Sequence, residues 1–207
     1  MSKIARSFIV VLSILVTSFS TFAEEVTKKF EIGTFSNNSS VSSSPVSGFS
    51  ANGRLGLSAK FIVSNLPNFD RNVEAVIGAS FGSTKLGLAG TNLGNVDSDT
   101  IAGGIRYRFS NDQVQPYVGV GVHFTSLDGS LANNTLRVSQ PKSGLGTYLE
   151  AGIRGTFPKN DFWNGYWNLG VQSVSKTPFS LMTTAGAKMS DVSTGETRFE
   201  ISIGGNF

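Results

Sequence analysis

The sequence has 207 residues, of which 15% are charged, 24 are Gly and 16 are Phe, and it contains no Cys. Soluble domains carry roughly 25% charged residues, so this composition is unusual for that class, and its apolar content excludes a disordered chain. Without Lys3 and Arg6, which lie in an N-terminal segment, 15 basic residues face 14 acidic ones, and this net charge of +1 gives no electrostatic basis for a nucleic-acid partner.

The chain begins with a segment that has the layout of a secretory signal peptide, residues 1–23. Its basic residues precede an apolar run at 8–16, and Thr21 and Ala23 place small residues at the −3 and −1 positions of a cleavage site. The apolar run is shorter than the ~20 residues that a spanning helix needs, which favours a cleaved signal over a membrane anchor. The sequence therefore predicts an exported protein whose residues 24–207 form one domain.

After the signal, apolar residues alternate with small or polar ones, which is the period of a β-strand with two different faces. Eight such stretches occur, at 29–34, 54–63, 73–81, 101–109, 117–124, 145–157, 166–172 and 198–207. Their charged residues fall almost wholly on one face, while the other face is too apolar to meet water. A closed barrel with lipid outside and a polar lumen inside satisfies both faces and leaves no open edge. The sequence therefore predicts an all-β, eight-stranded, antiparallel, up-and-down transmembrane β-barrel.

The connections between these stretches alternate in length. Those after the second, fourth and sixth are short, at 64–71, 110–115 and 158–164, and those after the odd-numbered ones are long, at 36–52, 82–99, 126–143 and 173–197. This asymmetry is typical of bacterial outer-membrane barrels, in which short turns are periplasmic and long loops are extracellular. It predicts periplasmic N- and C-termini, and the Ser/Asn-rich segment 37–50 is expected to be a mobile loop.

This topology gathers aromatic residues at both membrane interfaces, where such rings are enriched. The predicted periplasmic anchors are Phe30, Phe61, Phe109, Phe157, Trp163, Trp167 and Phe207, and the outer ones are Phe81, Phe124 and Phe199. The densest aromatic run, 162–167, is interpreted as part of the periplasmic belt, with a carbohydrate platform as the alternative.

Two local patterns resemble those of known barrels. Phe207 ends the chain, with Phe199, Ile201 and Ile203 at alternate positions before it, which resembles the C-terminal signal read by the outer-membrane insertion machinery; Gly205 departs from that pattern. The stretch 116–121, Pro-Tyr-Val-Gly-Val-Gly, is similar to one that opens a strand in such proteins.

With its size and strand order, the chain therefore resembles the small eight-stranded outer-membrane barrels of the OmpA membrane domain, OmpX and opacity-protein type. The resemblance implies a place in the bacterial outer membrane. The expected partners are outer-membrane lipid and lipopolysaccharide, together with the insertion machinery during biogenesis.

The polar face of the predicted barrel collects acidic and basic residues. The predicted luminal network consists of Glu31, Arg54, Glu74, Arg106, His123, Tyr148, Glu150, Arg154, Arg198 and Glu200. An eight-stranded barrel is just wide enough to be filled by side chains, and unpaired charges in a dry interior are costly. The network is therefore interpreted as a salt-bridged plug, and the alternative is a selectivity filter or a path for small ions.

His123 is the only histidine, so a Ser–His–acid hydrolase would have to use it. Ser126 and Asp128 follow closely, but strand parity points His123 into the lumen, whereas a lipid-modifying site must open to the outer leaflet. One His, no Cys and scattered Asp residues supply no metal-ligand set. The sequence predicts no catalytic, cofactor or metal site.

The leading functional hypothesis is a non-enzymatic integral outer-membrane protein that acts structurally or through surface interactions of its long loops. Its extracellular partner is not specified by the sequence. The main alternative is a narrow, OmpW-like channel for small solutes, and a third is a lipid A-modifying hydrolase that uses His123. At the level of fold, the competitor is a soluble lipocalin-like barrel, which would have an apolar interior.

Overall fold

The computed structural model describes residues 26–53, 55–131, 135–139, 144–158 and 164–206. Their strands are β1 (Thr27–Ser44), β2 (Phe49–Gly53), β3 (Leu55–Ser64), β4 (Val73–Leu88), β5 (Thr91–Arg108), β6 (Val114–Asp128), β7 (Ser130–Leu131), β8 (Leu136–Ser139), β9 (Leu145–Thr156), β10 (Gly165–Thr183) and β11 (Lys188–Asn206). None of these described segments is a helix long and apolar enough to cross a membrane. The predicted signal peptide, Arg54, Trp163 and Phe207 lie outside the described residues.

Eight of the described strands form the wall of a barrel. They follow the order β1, β3, β4, β5, β6, β9, β10 and β11, with antiparallel pairing throughout, and β11 pairs with β1 to close the ring. The closing pair is long, running from Lys29 opposite Asn206 to Ser44 opposite Asp191. The predicted all-β, closed, eight-stranded antiparallel barrel is therefore confirmed.

The register of the ring fixes the tilt of the strands. If pairing partners are followed from Ile32 through β3, β4, β5 and β6, the path reaches Leu145 of β9. If they are followed the other way round the ring, through β11 and β10, the path reaches Gly155 of β9, ten residues further along. Such a stagger, larger than the strand number, requires strands tilted by about 40° and leaves an interior that side chains can fill.

The two faces of the wall follow the predicted alternation. The outward positions of the central wall are large and apolar, and many are well exposed, such as Ile105 at 53% and Leu149 at 63%. The inward positions between them hold buried charged groups, such as Arg106. This is the reverse of a lipocalin-like barrel, so the soluble competitor is wrong.

The long connections were predicted as loops, and the structure corrects this. Strand β1 continues through 36–44, β4 and β5 pair along 82–99, and β10 and β11 pair along most of 173–197. The expectation of a loop at 37–50 is therefore wrong for 37–44, which belong to β1, and for 49–50, which begin β2. These segments are rich in Ser, Thr, Asn and Gly, and each pairs with an antiparallel neighbour: β1 with β11, β4 with β5, and β10 with β11.

The hairpin of β4 and β5 shows how sharply these extensions turn. Leu88 pairs with Thr91, and between them Ala89 and Gly90 have φ angles of 48° and 83°. Positive φ at both central residues is the signature of a type I′ turn, whose twist matches that of a β-hairpin. The strands therefore continue to the turn without a flexible loop.

A small apolar core fills the barrel at the level of these extensions. Its buried members are Leu86, Val96, Leu131, Phe179, Leu181 and Val192, and partly buried residues such as Phe49, Leu93 and Val138 pack against them. Most come from inward positions of β4, β5, β10 and β11, the strands that extend beyond the apolar belt. The extension is thus a packed β-structure with its own core.

Candidate functional site

The centre of the lumen is a network of buried ion pairs around Arg106 of β5. Its Nε donates to Glu150 Oε1 at 2.9 Å, and its NH1 group donates to Glu31 Oε1 at 3.2 Å. The same NH1 group lies 4.0 Å from Glu74 Oε2. Three carboxylates from three different strands therefore converge on one guanidinium, in the multidentate geometry that favours Arg for such pairs.

Arg154 of β9 links two of the same carboxylates from the neighbouring level. Its NH1 group donates to Glu74 Oε1 at 2.9 Å, and its NH2 group donates to Glu31 Oε1 at 3.0 Å. Its Nε donates to Asn168 Oδ1 at 3.1 Å, so every guanidinium nitrogen has an acceptor. Arg154 itself is therefore fully satisfied, which avoids the large cost of a buried polar group without partners.

Aromatic rings hold the guanidinium groups in place. The Arg106 guanidinium carbon lies 4.2 Å from the centre of the Tyr117 ring, and that of Arg154 lies 4.5 Å from the centre of the Tyr166 ring. Tyr148, another predicted luminal residue, is also buried and stands against Gly121, where a side chain would collide with its ring. The tyrosines thus pack the interior around the charges.

The network contains three cations that the sequence analysis did not assign to it. Lys60 donates from Nζ to Glu200 Oε2 at 2.5 Å and lies 3.9 Å from Glu150. Lys29 donates to Glu74 Oε1 at 2.7 Å, and Arg108 Nε lies 3.2 Å from the same oxygen. All three occupy the charged face of their strands, so parity alone was sufficient to include them.

Above the ion pairs, the lumen becomes polar and less charged. Arg198 donates from Nε to Glu196 at 2.8 Å and from NH1 to Ser80 at 2.8 Å. A small cavity of about 30 Å³ lies at this level, lined among others by Lys60, Ser80, His123, Tyr148, Arg198 and Glu200. The structure therefore brings all the described members of the predicted luminal set into one interior.

His123 has neither of the partners considered for catalysis. Its Nδ1 pairs with Thr125 Oγ1 at 3.0 Å, and its Nε2 pairs with Ser175 Oγ at 3.2 Å. Among the described residues, no carboxylate is within hydrogen-bond distance of the ring, and Ser126 lies on the opposite strand face. Ser175 Oγ already accepts a hydrogen bond from the Thr147 backbone N–H at 2.9 Å. The arrangement is a polar cross-link between strands and lacks the acid of a triad.

Within the described residues, no group of three or more His, Cys, Asp or Glu side chains is placed to hold a metal ion.

The aromatic positions divide into three groups. Phe109 and Phe157 are exposed on the outer wall at the rim of the short turns, where Phe30 and Trp167 are partly exposed. Phe81, Phe124 and Phe199 are exposed at the other rim. Phe61 lies on the same face of β3 as the exposed Leu57, but its own side chain is only 4% exposed. Ile201 and Ile203 also face outward, whereas Trp163 and Phe207 lie outside the described residues.

Comparison with known proteins agrees with this architecture. The sequence matches the family described as "Outer membrane protein beta-barrel domain" over residues 9–205. The structure is similar to the outer membrane protein OprG from Pseudomonas aeruginosa, with 18% identity and a TM-score of 0.63, covering 87% of this chain and 96% of that one.

Two further solved structures are similar. The outer membrane protein AlkL in lipid bilayers has 14% identity and a TM-score of 0.57, over 90% of this chain and 93% of that one. A major outer membrane protein from Thermus thermophilus has 15% identity and a TM-score of 0.50, over 87% and 99%. No curated protein matches the sequence. At these identities the likeness establishes the fold and no more.

Proposed function

The chain belongs to the outer membrane protein β-barrel domain family, and on that basis we propose that it is a non-enzymatic, integral outer-membrane protein with an occluded barrel and a surface-interacting β-extension. The single observation that supports this proposal is the ion network around Arg106. Its guanidinium is fully buried and joins carboxylates from β1, β4 and β9 across the middle of the lumen. Moving a solute past it would require separating buried ion pairs, which is costly.

The extension supplies the surface for interaction. It is built by the long hairpins of β4–β5 and β10–β11, and its apolar core holds them in fixed positions. Ordered hairpins present a defined surface with less conformational entropy to lose on binding than mobile loops. We assign structural or surface contacts to this part.

The proposed orientation places both termini and the short turns in the periplasm and the extension outside the cell. Short periplasmic turns and long extracellular connections are the usual arrangement of this class. The belt that includes Ile105, Leu149 and Ile201 would contact outer-membrane lipid and lipopolysaccharide. Phe199, Ile201 and Ile203, with Phe207, would be read by the insertion machinery during assembly.

Because the native chain has no Cys, single cysteines test location and orientation together. Lys188 lies at the base of the hairpin turn of β10–β11, and Asp112 lies in the short turn between β5 and β6. Each is replaced by Cys in a separate variant. A membrane-impermeant maleimide is expected to label Lys188→Cys in intact cells and Asp112→Cys only after the outer membrane is permeabilised. The opposite labelling pattern, or recovery of the protein in a soluble fraction, would overturn the proposal.

A narrow channel for small solutes is the second candidate. The observation that favours it is the cavity beside His123, which lies on one side of the ion network, with an open vestibule lined by Lys29, Arg108 and Tyr166 on the other. Rearrangement of that one layer would connect the two spaces. Uptake of radiolabelled small solutes into proteoliposomes above the rate of protein-free liposomes would favour this candidate over the occluded barrel.

A further inference from the structure

The end of the barrel that carries the short turns opens into a vestibule of about 200 Å³. Its principal polar lining residues are Lys29, Arg108, Gln115, Arg154 and Tyr166. No carboxylate side chain is among its described lining residues. Three of the five are cations, so this opening is strongly basic although the chain as a whole is nearly neutral.

These three cations share one carboxylate oxygen. Glu74 Oε1 lies 2.7 Å from Lys29 Nζ, 2.9 Å from Arg154 NH1 and 3.2 Å from Arg108 Nε. Arg154 is also paired with Glu31, but Glu31 is shared with Arg106. One negative charge therefore serves three positive ones at this level, and the carboxylate cannot neutralise them.

The whole ion network of the described residues has the same imbalance. Its carboxylates are Glu31, Glu74, Glu150 and Glu200, and its cations are Lys29, Lys60, Arg106, Arg108 and Arg154. Four negative charges against five positive ones leave a net +1, whereas Arg198 and Glu196 balance each other. An uncompensated charge in a low-dielectric interior is costly, and here the excess lies at the open end.

One buried donor in the vestibule is left without an acceptor. Tyr166 Oη makes no hydrogen bond with any described group, although the residue is only 3% exposed, and Arg108 Nε faces Glu74 Oε1 at 3.2 Å without a well-directed hydrogen bond. The other Arg108 nitrogens donate to Asn111, Gln115 and the Arg71 carbonyl, which fixes the guanidinium in place. Groups that remain unsatisfied at such burial require a partner.

Basic side chains and an unpaired phenol O–H together form a site for an oxygen anion. The acidic residues of the adjacent turns, Asp70 and Asp112, are exposed, so solvent and salt screen their charge. We propose that this vestibule binds a small oxyanion group, a phosphate or a carboxylate, from the solution or lipid at that end of the barrel. This inference does not rest on the proposed function, because an occluded barrel and a channel would both contain the vestibule.

The test uses the full mature chain, refolded in a neutral detergent, and inorganic phosphate as the probe in isothermal titration calorimetry. Saturable binding is expected for the unmodified protein. Lys29→Gln should weaken the affinity about tenfold or more, since a hydrogen bond to a charged group is lost. Lys28→Gln is the matched control, because it removes the same charge from the adjacent, outward-facing position of β1, and it should leave the affinity unchanged.

A second variant keeps the proposal testable if Lys29→Gln does not fold. Tyr166→Phe keeps the ring that stacks on Arg154 and removes only the unpaired hydroxyl. It should fold normally by heat-modifiability on gels and bind phosphate several-fold more weakly. Absence of saturable binding to the unmodified protein would overturn the proposal, as would equal weakening by Lys28→Gln and Lys29→Gln, which would indicate general surface attraction.

Nanodiscs distinguish the two sources of the oxyanion. In phosphatidylcholine nanodiscs, inorganic phosphate should bind as in detergent if the ligand is free in solution. Two results together would identify the ligand as a lipid headgroup. Phosphate binding to the unmodified protein would disappear in phosphatidylglycerol nanodiscs, and the Lys29→Gln variant would no longer enrich phosphatidylglycerol around itself. If neither lipid changes phosphate binding, the site takes the soluble anion. Conductance and labelling experiments report on the proposed function separately.

Discussion

Arg106 and Glu150 form their 2.9 Å hydrogen bond across an intervening strand at a position where that strand has no side chain. Both residues pair in the register with Gly119 of β6, which stands between them. A Cβ atom at Gly119 would lie 2.6 Å from Glu150 Oε1 and 2.7 Å from its Cγ. The glycine is therefore a requirement of this ion pair.

Replacing this glycine should disturb the network directly. We expect Gly119→Ala to lower the free energy of unfolding by about 1–3 kcal/mol, the usual cost of overpacking, as measured by urea unfolding of the protein in detergent. Gly103→Ala is the control, because a Cβ there meets only the Val76 carbonyl at 4.0 Å. Equal stability of the two variants would show that Glu150 does not occupy this position.

Removing the central cation, Arg106, should lower the free energy of unfolding by more than the Gly119→Ala substitution does. Arg106→Met leaves Glu31 and Glu150 buried with fewer partners, and breaking a buried pair on one side costs about 3–5 kcal/mol. Unfolding in urea should show this loss, whereas Arg137→Met, in exposed strand β8, should be near neutral. A loss of less than about 1 kcal/mol for Arg106→Met, at the level of surface ion pairs, would mean that the network is hydrated.

His123 should contribute to stability and not to chemistry. His123→Ala removes its contacts with Thr125 and Ser175, and two net hydrogen bonds correspond to about 1–3 kcal/mol. Mass spectra of lipid A from cells that express this variant should be identical to those from cells with the unmodified protein. A change in acyl composition that depends on His123 would restore the hydrolase hypothesis.

The apolar core of the extension should be required for its order. Phe179 is buried in that core, and Phe→Ala changes in cores typically cost about 3–5 kcal/mol. Limited proteolysis should therefore cut the β10–β11 hairpin in Phe179→Ala while the wall stays protected. Phe199→Ala, on the exposed outer wall of the same hairpin, should retain the unmodified digestion pattern. Resistance of both variants would mean that the core does not hold the hairpins.

The strand faces could be predicted from sequence because side-chain direction in a strand has a period of two. Once the apolar positions were assigned to lipid, the inward direction of Arg106, Glu150 and Arg154 followed without knowledge of their partners. The extension could not be predicted in the same way. Its outward residues meet water, so Ser and Asn runs such as 36–44 lack the alternation on which the assignment depends.

Specific partners in the lumen were also beyond the sequence. Which carboxylate meets which cation depends on the ten-residue stagger of the ring, and no single strand encodes that stagger. His123 illustrates this: its partner Ser175 lies 52 residues away, in a β-bulge between Val174 and Thr177 of β10. A bulge shifts every side chain beyond it, so parity could not connect the two.

Recording current across a planar lipid bilayer tests the central claim most directly. With insertion verified by recovery of folded, heat-modifiable protein from the membrane, the unmodified chain should give no unitary conductance steps at moderate voltage, because the pairs around Arg106 close the lumen. Reproducible steps from the unmodified protein would contradict the account, since ions would then be crossing the layer that holds Glu31, Glu74 and Glu150.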